Sequence, residues 1–325
     1  MFPQTLKLVL ALSFLGSLFG CQQATEVRVL KMGHTLEASH PVHEAMLFMS
    51  RRLDEISDGS MRIDVYSGGQ LGSERELMEL LQIGSLAMTK VSSSPMEGFV
   101  PEMKIFNIPY VFRDQEHYWR VLNSDVGWEI LLAGDEVYLR GLGYFDAGSR
   151  SFYTVDQPVH SPEDLQGLKI RVQHSQTALR MVEALGGSPT PISWGELYTA
   201  LSQGVVDGAE NNPPSFQSSK HYEVTNFYSL NEHTWVPDIV LVSSYIWSTL
   251  TEQQQAWLQQ AMDEAVVYQR ELWAQATEEA LTTVEQAGVT VIRPDKKPFM
   301  ARAEQLHESY QGTPLYELIQ TFKAM

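Results

Sequence analysis

The chain is nearly without cysteine. Cys21 is the only one in 325 residues, so no internal disulfide, no cysteine-based metal site and no catalytic thiol within the mature domains is available. A chain of this size buries enough apolar surface to do without such staples. Long apolar runs are as scarce: beyond Leu8–Phe19 there is none that could cross a bilayer, which excludes a permease. Positive charge is short too, with 23 Lys and Arg against 40 Asp and Glu and a formal charge of −17. That balance argues against nucleic acid and against anionic lipid as partners. It also repels anionic small molecules at long range, so any anion site has to be a local cluster of Arg and Lys. Catalytic signatures are missing: there is no G-x-S-x-G, no Walker A and no G-x-G-x-x-G, and no motif pairs two carboxylates. No cofactor is expected. His40-Pro41-Val42-His43-Glu44 groups possible metal ligands, but it is not HExxH, and Pro41 at a helix start explains the grouping, so no metal is expected either.

What is present begins with a leader. Lys7 is the only charge in residues 1–20, and the apolar run after it has signal-peptide length. Its removal leaves a formal charge of −18. Leu18-Phe19-Gly20-Cys21 resembles a lipoprotein cleavage site, with Phe19 standing where a small residue is usual. The expectation is cleavage before Cys21 and its acylation; ordinary cleavage after Ala24 is the alternative. About 305 mature residues suggest two domains.

The mature chain opens as alternating strand and helix. Glu26 to Met32 reads as a strand, Pro41 to Ile56 as an amphipathic helix, and Met61 to Val65 as a strand. Ser73 and Glu76 form a capping box for the next helix, and a strand follows over 86–92. This order predicts a mainly parallel sheet. Two helices near 116–122 and 127–133 lead to a strand over 139–145. Strands are expected again over 227–235, 239–243 and 289–293. Thr251 and Gln254 make another capping box, and from there to Ala287 the pattern is helical without internal Gly or Pro. Such a helix reaches roughly 50 Å, longer than one small domain.

The richest stretch is Leu165 to Pro213. Leu168, Ile170 and Val172 alternate with Lys169, Arg171 and Gln173, so Arg171 lies on a strand face with polar neighbours. A helix with Met181, Val182 and Leu185 stops at Gly186-Gly187. Ser193 and Glu196 read as a capping box that puts Trp194 at the first helical residue. Gly204 to Gly208 reads as a short buried strand whose end carries Glu210, Asn211 and Asn212. Ligands in open α/β sheets collect at strand ends and helix starts, and Arg171, Trp194 and Asn211 offer a charged fork, an aromatic face and an amide. A surface salt bridge, a core tryptophan and a turn asparagine would explain the same residues. In the first half, His34 follows a strand, Glu74 opens a helix, and Lys90 shares a strand face with Met88 and Ser92. A lysine in an apolar strand needs a partner; an edge strand for Lys90, a loop for His34 and a helix-terminal charge for Glu74 are the plain alternatives.

The runs KIRVQ and ALGGSPTPISWGELYTALSQGVVDGAENNP resemble the substrate-binding subunits of TRAP transporters, the DctP-type family, and the likeness extends over nearly the whole mature chain. The resemblance implies an α/β, two-domain periplasmic-binding-protein-like fold with a cleft between the domains and a long helix bridging both. It places domain I at 26–147 and 237–270 and domain II at 148–236 and 271–325. It implies that Arg171 pairs with a ligand carboxylate, that Asn211 and the second arginine of AGSRSFYT, Arg150, complete that site, and that Trp194 covers the ligand. A surface arginine between the domains is the other reading of Arg150. The run LGSERELMELLQIGSLAMTKVSSSPMEGFVPEM resembles the uronate-binding branch, where polar residues at the positions of His34, Glu74, Lys90 and Ser92 face a sugar; His233 and Trp235 are placed near the cleft edge. The implied protein is a monomeric, non-catalytic periplasmic binder of a sugar acid, D-glucuronate or D-galacturonate, that delivers it to TRAP permease subunits and touches the membrane only through a lipid anchor. A C4-dicarboxylate or other organic acid is the alternative ligand. A sensory ligand-presenting module, or a periplasmic sugar-acid enzyme using Glu74 and His34 as acid and base, are the alternative classes.

Overall fold

The computed structural model describes residues 27–325; the leader and the acylation expected at Cys21 lie outside them. The strands form two sheets. The first has the order β2-β1-β3-β10-β4, built from β1 (Arg28–Gly33), β2 (Met61–Tyr66), β3 (Met88–Ser92), β4 (Leu139–Phe145) and β10 (Asp238–Ser243). β1, β2 and β3 are parallel, as the alternation of strand and helix predicts. β10 lies antiparallel between β3 and β4, which makes the sheet mixed rather than mainly parallel. The reason is local: β10 is reached from the other sheet through Val236-Pro237 alone and enters in the reverse sense.

The second sheet has the order β11-β9-β5-β8-β6-β7, from β5 (Ser149–Thr154), β6 (Lys169–Val172), β7 (Ser188–Pro191), β8 (Gly208–Asn211), β9 (Phe227–Trp235) and β11 (Thr290–Ile292). The strand expected at 204–208 starts only at Gly208; half-exposed Val205 lies in a turn, and Glu210 and Asn211 are inside the strand, not beyond its end. The helices of eight residues or more are α1 (Pro41–Ile56), α2 (Glu74–Gln82), α3 (Gln115–Leu122), α4 (Asp125–Leu132), α5 (Gln176–Ala184), α6 (Glu252–Gln286), α7 (Lys297–Glu308) and α8 (Pro314–Ala324). The capping boxes at Ser73–Glu76 and Thr251–Gln254 form as read. The one at Ser193–Glu196 does not. Its side-chain bonds are absent, Glu196 N donates instead to the Ser193 carbonyl at 3.2 Å, and Trp194 opens a single tight 3₁₀ turn. His40 caps α1, its Nδ1 accepting from Val42 N at 3.2 Å, which accounts for the histidine beside Pro41 without a metal.

α6 has 35 residues. Its first half packs on α1 and β4 and its second half reaches β11, so it runs along both sheets. Midway, buried Gln269 holds the backbone of Asp146 on both sides, where the chain leaves the first sheet: its Oε1 accepts from Asp146 N and its Nε2 donates to Asp146 O, both at 2.8 Å. Gly148 follows at φ +56, and a Cβ there would come within 2.9 Å of the Trp273 indole nitrogen. The strands divide at 145/149 and 235/238, but the apolar interior does not follow the expected partition. Phe322 of α8 packs on Phe106 and Phe112, and His117 Nε2 lies 2.9 Å from the Phe322 carbonyl. The last helix therefore packs on the 101–122 segment, within an apolar cluster that also holds Phe152, Ile170 and Val172 of the second sheet.

Candidate functional site

The cleft between the sheets gathers side chains from β3, β5, β6, β8 and β10. It holds two adjoining cavities, of about 160 and 30 Å³, that share Thr35, Glu74, Gln173 and Trp194 in their walls. Arg171 lines the larger; Lys90, Ser92, Arg150, Asn211 and Asp238 line the smaller. The room is on the Arg171 side, because in the smaller lobe the polar groups already bond to one another. A bigger groove, about 540 Å³, lies on the outer flank between Lys104, Arg180, Tyr310 and Leu318. It lies apart from the cleft between the sheets and from the residues of the two central motifs.

Arg171 arrives on β6 because Ile170 and Val172 take the apolar core, leaving its side chain on the other face. It is 2% exposed. Nε donates to the Ile192 carbonyl at 2.8 Å, while Nη1 is buried without an acceptor. The Trp194 ring centre is 5.9 Å from the guanidinium carbon. Among the described residues no carboxylate reaches ion-pair distance of it. Burial pulls its pKa down, yet a guanidinium stays charged. A buried cation with an orphan N–H is costly unless something supplies the missing acceptor.

Arg150 is different. Its guanidinium is committed to Glu210: Nε donates to one carboxylate oxygen, Nη2 to the other at 2.9 Å and to the Glu210 carbonyl at 2.7 Å. Nη1 donates to Asn211 Oδ1 at 2.7 Å. Burial pushes the Glu210 carboxyl up, but Arg150 and His233 outweigh it and hold it at about 2. The arginine of AGSRSFYT therefore has little of its fork to spare. Asn211 Oδ1 is spent on Arg150 and on Asn212 N, leaving its amide N–H groups as donors.

On the opposite wall, Lys90 lies in a central strand, 2% exposed, so the edge-strand reading fails. Its Nζ is 2.9 Å from Asp238 and 3.7 Å from Glu74. Glu74 Oε1 accepts from Ser92 N at 2.9 Å. Burial raises the Asp238 carboxyl to about 6 against the pull of Lys90. His34 is enclosed rather than cavity-lining. Its Nε2 shares a hydrogen bond with His43 Nδ1 at 2.9 Å, its Nδ1 is unpartnered, and burial, with Lys90 and His43, lowers it to about 3. His233 stands behind Arg150, 3.6 Å from Glu210 and stacked on Phe152, and Trp235 packs on Tyr118 away from the cleft.

Hydrogen bonds cross the cleft. Ser92 Oγ donates to Gln173 Oε1 at 3.3 Å, and His40 Nε2 lies 3.1 Å from Ser215 Oγ. Glu97, beside β3, accepts from Ser175 Oγ at 2.6 Å and Thr177 N at 3.0 Å at the start of α5. Among the described residues the arrangement is a polar pocket with one unpaired cation, a π-face and, facing them, Lys90 held between Asp238 and Glu74. Sequence reasoning missed Asp238, the counter-charge of Lys90, and gave Glu210 no partner. Gln173 had a signal, since it shares the strand face of Arg171; Asp238 had none, because its register with Ser92 is set only by the returning strand.

The model of bacterial extracellular solute-binding protein, family 7 (DctP), matches residues 32–313. The chain belongs to that family. It is a solute-binding protein of the TRAP-transporter type. Among solved structures of this family, a TRAP periplasmic solute-binding protein from Bradyrhizobium sp. BTAi1, in complex with α/β-D-galacturonate, is 39% identical with a TM-score of 0.89, covering 92% of this chain and 100% of its own. One from Pseudomonas putida F1, with bound D-glucuronate, is 36% identical with a TM-score of 0.88, covering 91% and 97%. The uncharacterized protein YiiZ of Salmonella typhimurium is 36% identical over 301 residues, 91% of this chain and 92% of its own. Among the described residues no helix is long and apolar enough to cross a membrane, and none forms a group of three or more His, Cys, Asp or Glu placed to hold a metal.

Proposed function

We propose that this TRAP solute-binding protein captures a hexuronate, D-glucuronate or D-galacturonate, outside the cytoplasmic membrane and hands it to the permease subunits. One observation carries the reading: among the described residues, of the Lys and Arg side chains lining the two lobes only Arg171 lacks an acid, Arg75 lying 3.0 Å from Glu79. Arg150 has Glu210 and Lys90 has Asp238. The pocket thus offers one fork for one carboxylate, held through parallel hydrogen bonds. Trp194 covers an apolar face of the ring, the Asn211 amide donates to the ligand, and Arg150 keeps Asn211 in place. The Glu74, Lys90, Ser92 and Asp238 network supplies donors and acceptors for hydroxyls, with His34 fixing its back wall. A dicarboxylate would bring a second anion against Glu74 and Asp238. The solved relatives holding hexuronates support the same choice. Contacts from both sheets favour the closed form by differential binding, without a chemical step.

A thermal-shift panel tests this. Ligand at a hundred times its Kd adds about 2.7 kcal/mol of stability, which raises Tm by about 4 °C in a chain of this size. Such shifts are expected with D-glucuronate or D-galacturonate and none with succinate or neutral hexoses. A shift with succinate alone would replace the uronate by a C4-dicarboxylate. Periplasmic placement by a lipid anchor at Cys21 belongs to the same reading. Cys21→Ser should release the protein from the membrane fraction or block its processing, and an intact-mass spectrum without acyl chains on an N-terminal Cys21 would count against the anchor.

A further inference from the structure

We propose that Asp238 sets how many carboxylates the ligand of this pocket carries, by cancelling the charge of Lys90; the inference rests on the uronate reading above. Asp238 opens β10 at the one point where the returning strand meets Ser92, and it lines the smaller lobe while Arg171 lines the larger. Its Oδ1 is 2.9 Å from Lys90 Nζ, closer than the 3.7 Å to Glu74, so Asp238 is the principal counter-charge. A ligand that spans the two lobes therefore meets a free cation at one end and a balanced pair at the other. A terminal carboxylate at the Lys90 end would have to displace Asp238 or lie against it, and like charges in a buried site cost several kcal/mol. Exclusion of the second carboxylate is a repulsive element built into the pocket, in the sense that specificity is a difference between two affinities. Without the Asp238 charge, Lys90 would keep only the longer 3.7 Å contact to Glu74, whose Oε1 is also held by Ser92 N, and would be open to a second anion across the cleft from Arg171. The chemical class admitted would then change from hexuronate to hexarate, the sugar acid with a carboxylate at each end.

Calorimetry with D-glucuronate and D-glucarate on wild type and Asp238→Asn tests the inference. Glucuronate must bind the wild type; if it does not, the uronate reading fails, and this inference with it, before any variant is made. Given that binding, Asp238→Asn should shift the glucarate-to-glucuronate affinity ratio toward glucarate by at least about a hundredfold, and adding Lys90→Gln should remove the gain. An unchanged ratio in Asp238→Asn, or a gain that survives Lys90→Gln, overturns it. A second measurement needs no variant. The groups facing Asp238 are Lys90 and Glu74 on the first-sheet side, Arg150 from β5 and Tyr118 from α3. His34, His40 and His43 nearby are held below the usual histidine range, and Glu37, after β1, is raised by burial. With the Asp238 carboxyl at about 6, lowering the pH from 8 to 5 should move the wild-type ratio toward glucarate. The ratio in a folded Asp238→Asn should not move, which separates Asp238 from Glu37. A wild-type ratio that is flat with pH also overturns the proposal.

Discussion

Arg171→Ala is expected to weaken hexuronate binding by about 2–5 kcal/mol, a factor of about 30 to several thousand, in calorimetric titration. The size follows from truncating one partner of a buried, hydrogen-bonded charge pair that forms only when ligand arrives. Arg171→Lys keeps a charge and loses the planar fork, so it too should bind markedly less well. The unliganded protein behaves differently. Arg171 is buried with Nη1 unpaired and no acid beside it, so Arg171→Met, apolar and of similar length, should melt at or above the wild-type temperature while losing the ligand. Affinity equal to wild type in Arg171→Ala would remove this residue from the site.

Glu210→Gln should have the reverse signature, acting first on the fold. It leaves Arg150, 4% exposed, without its counter-charge. Breaking a buried pair from one side costs about 3–5 kcal/mol, or roughly 5–8 °C in Tm for a chain of about 300 residues. The pH dependence follows from the direction of the shift. An ordinary carboxyl titrates near 4.3 in an unfolded chain, and Glu210 is held at about 2 in the folded one. Its contribution is therefore complete above about pH 4.3 and disappears as the pH falls through 2. Asp238, raised to about 6, runs the other way: its contribution is complete below about 3.9 and is lost as the pH rises through 6. Thermal melts between pH 2 and 8 on wild type and Glu210→Gln check both signs. A variant with an acid limb as steep as wild type, or with an unchanged Tm, would show that Glu210 is not the counter-charge that matters.

The elements with a strong period or a complete cap were legible in the sequence. α1 has Pro41 and a stripe of Val42, Ala45, Met46, Met49 and Leu53 that is buried throughout; α6 has a capping box and no interior breaker. Arg171 was legible because alternation fixes which face of β6 it occupies. Ser193-x-x-Glu196 misled because a capping box needs a helix long enough to follow it, and here a 3₁₀ turn leads into only Leu197–Ser202. The strand at Gly208 was misplaced because Val205 and Val206 look like strand residues but turn the chain after Gly204, which has φ +67. The partners of the charges were the least legible part. Arg150 with Glu210 and Lys90 with Asp238 are 60 and 148 positions apart, joined only by β5 lying beside β8 and β10 beside β3. No local pattern encodes such a pairing, and it is this pairing that turns three cations into one available anchor.

The clamp between Gln269 and Asp146 makes α6 an axle. Because both the N–H and the C=O of one crossing residue, Asp146, are tied to the middle of a rod roughly 50 Å long, that crossing cannot rotate without the rod. Bending between the two lobes has to be taken up at Ala147-Gly148 and at Val236-Pro237, on short lever arms close to the pivot, while the rims of the pocket sit on the long ones. Rotation at those links moves the wall that carries Trp194 relative to the wall that carries Lys90. Mutations at the pivot should change how fast the jaws open rather than how tightly they hold.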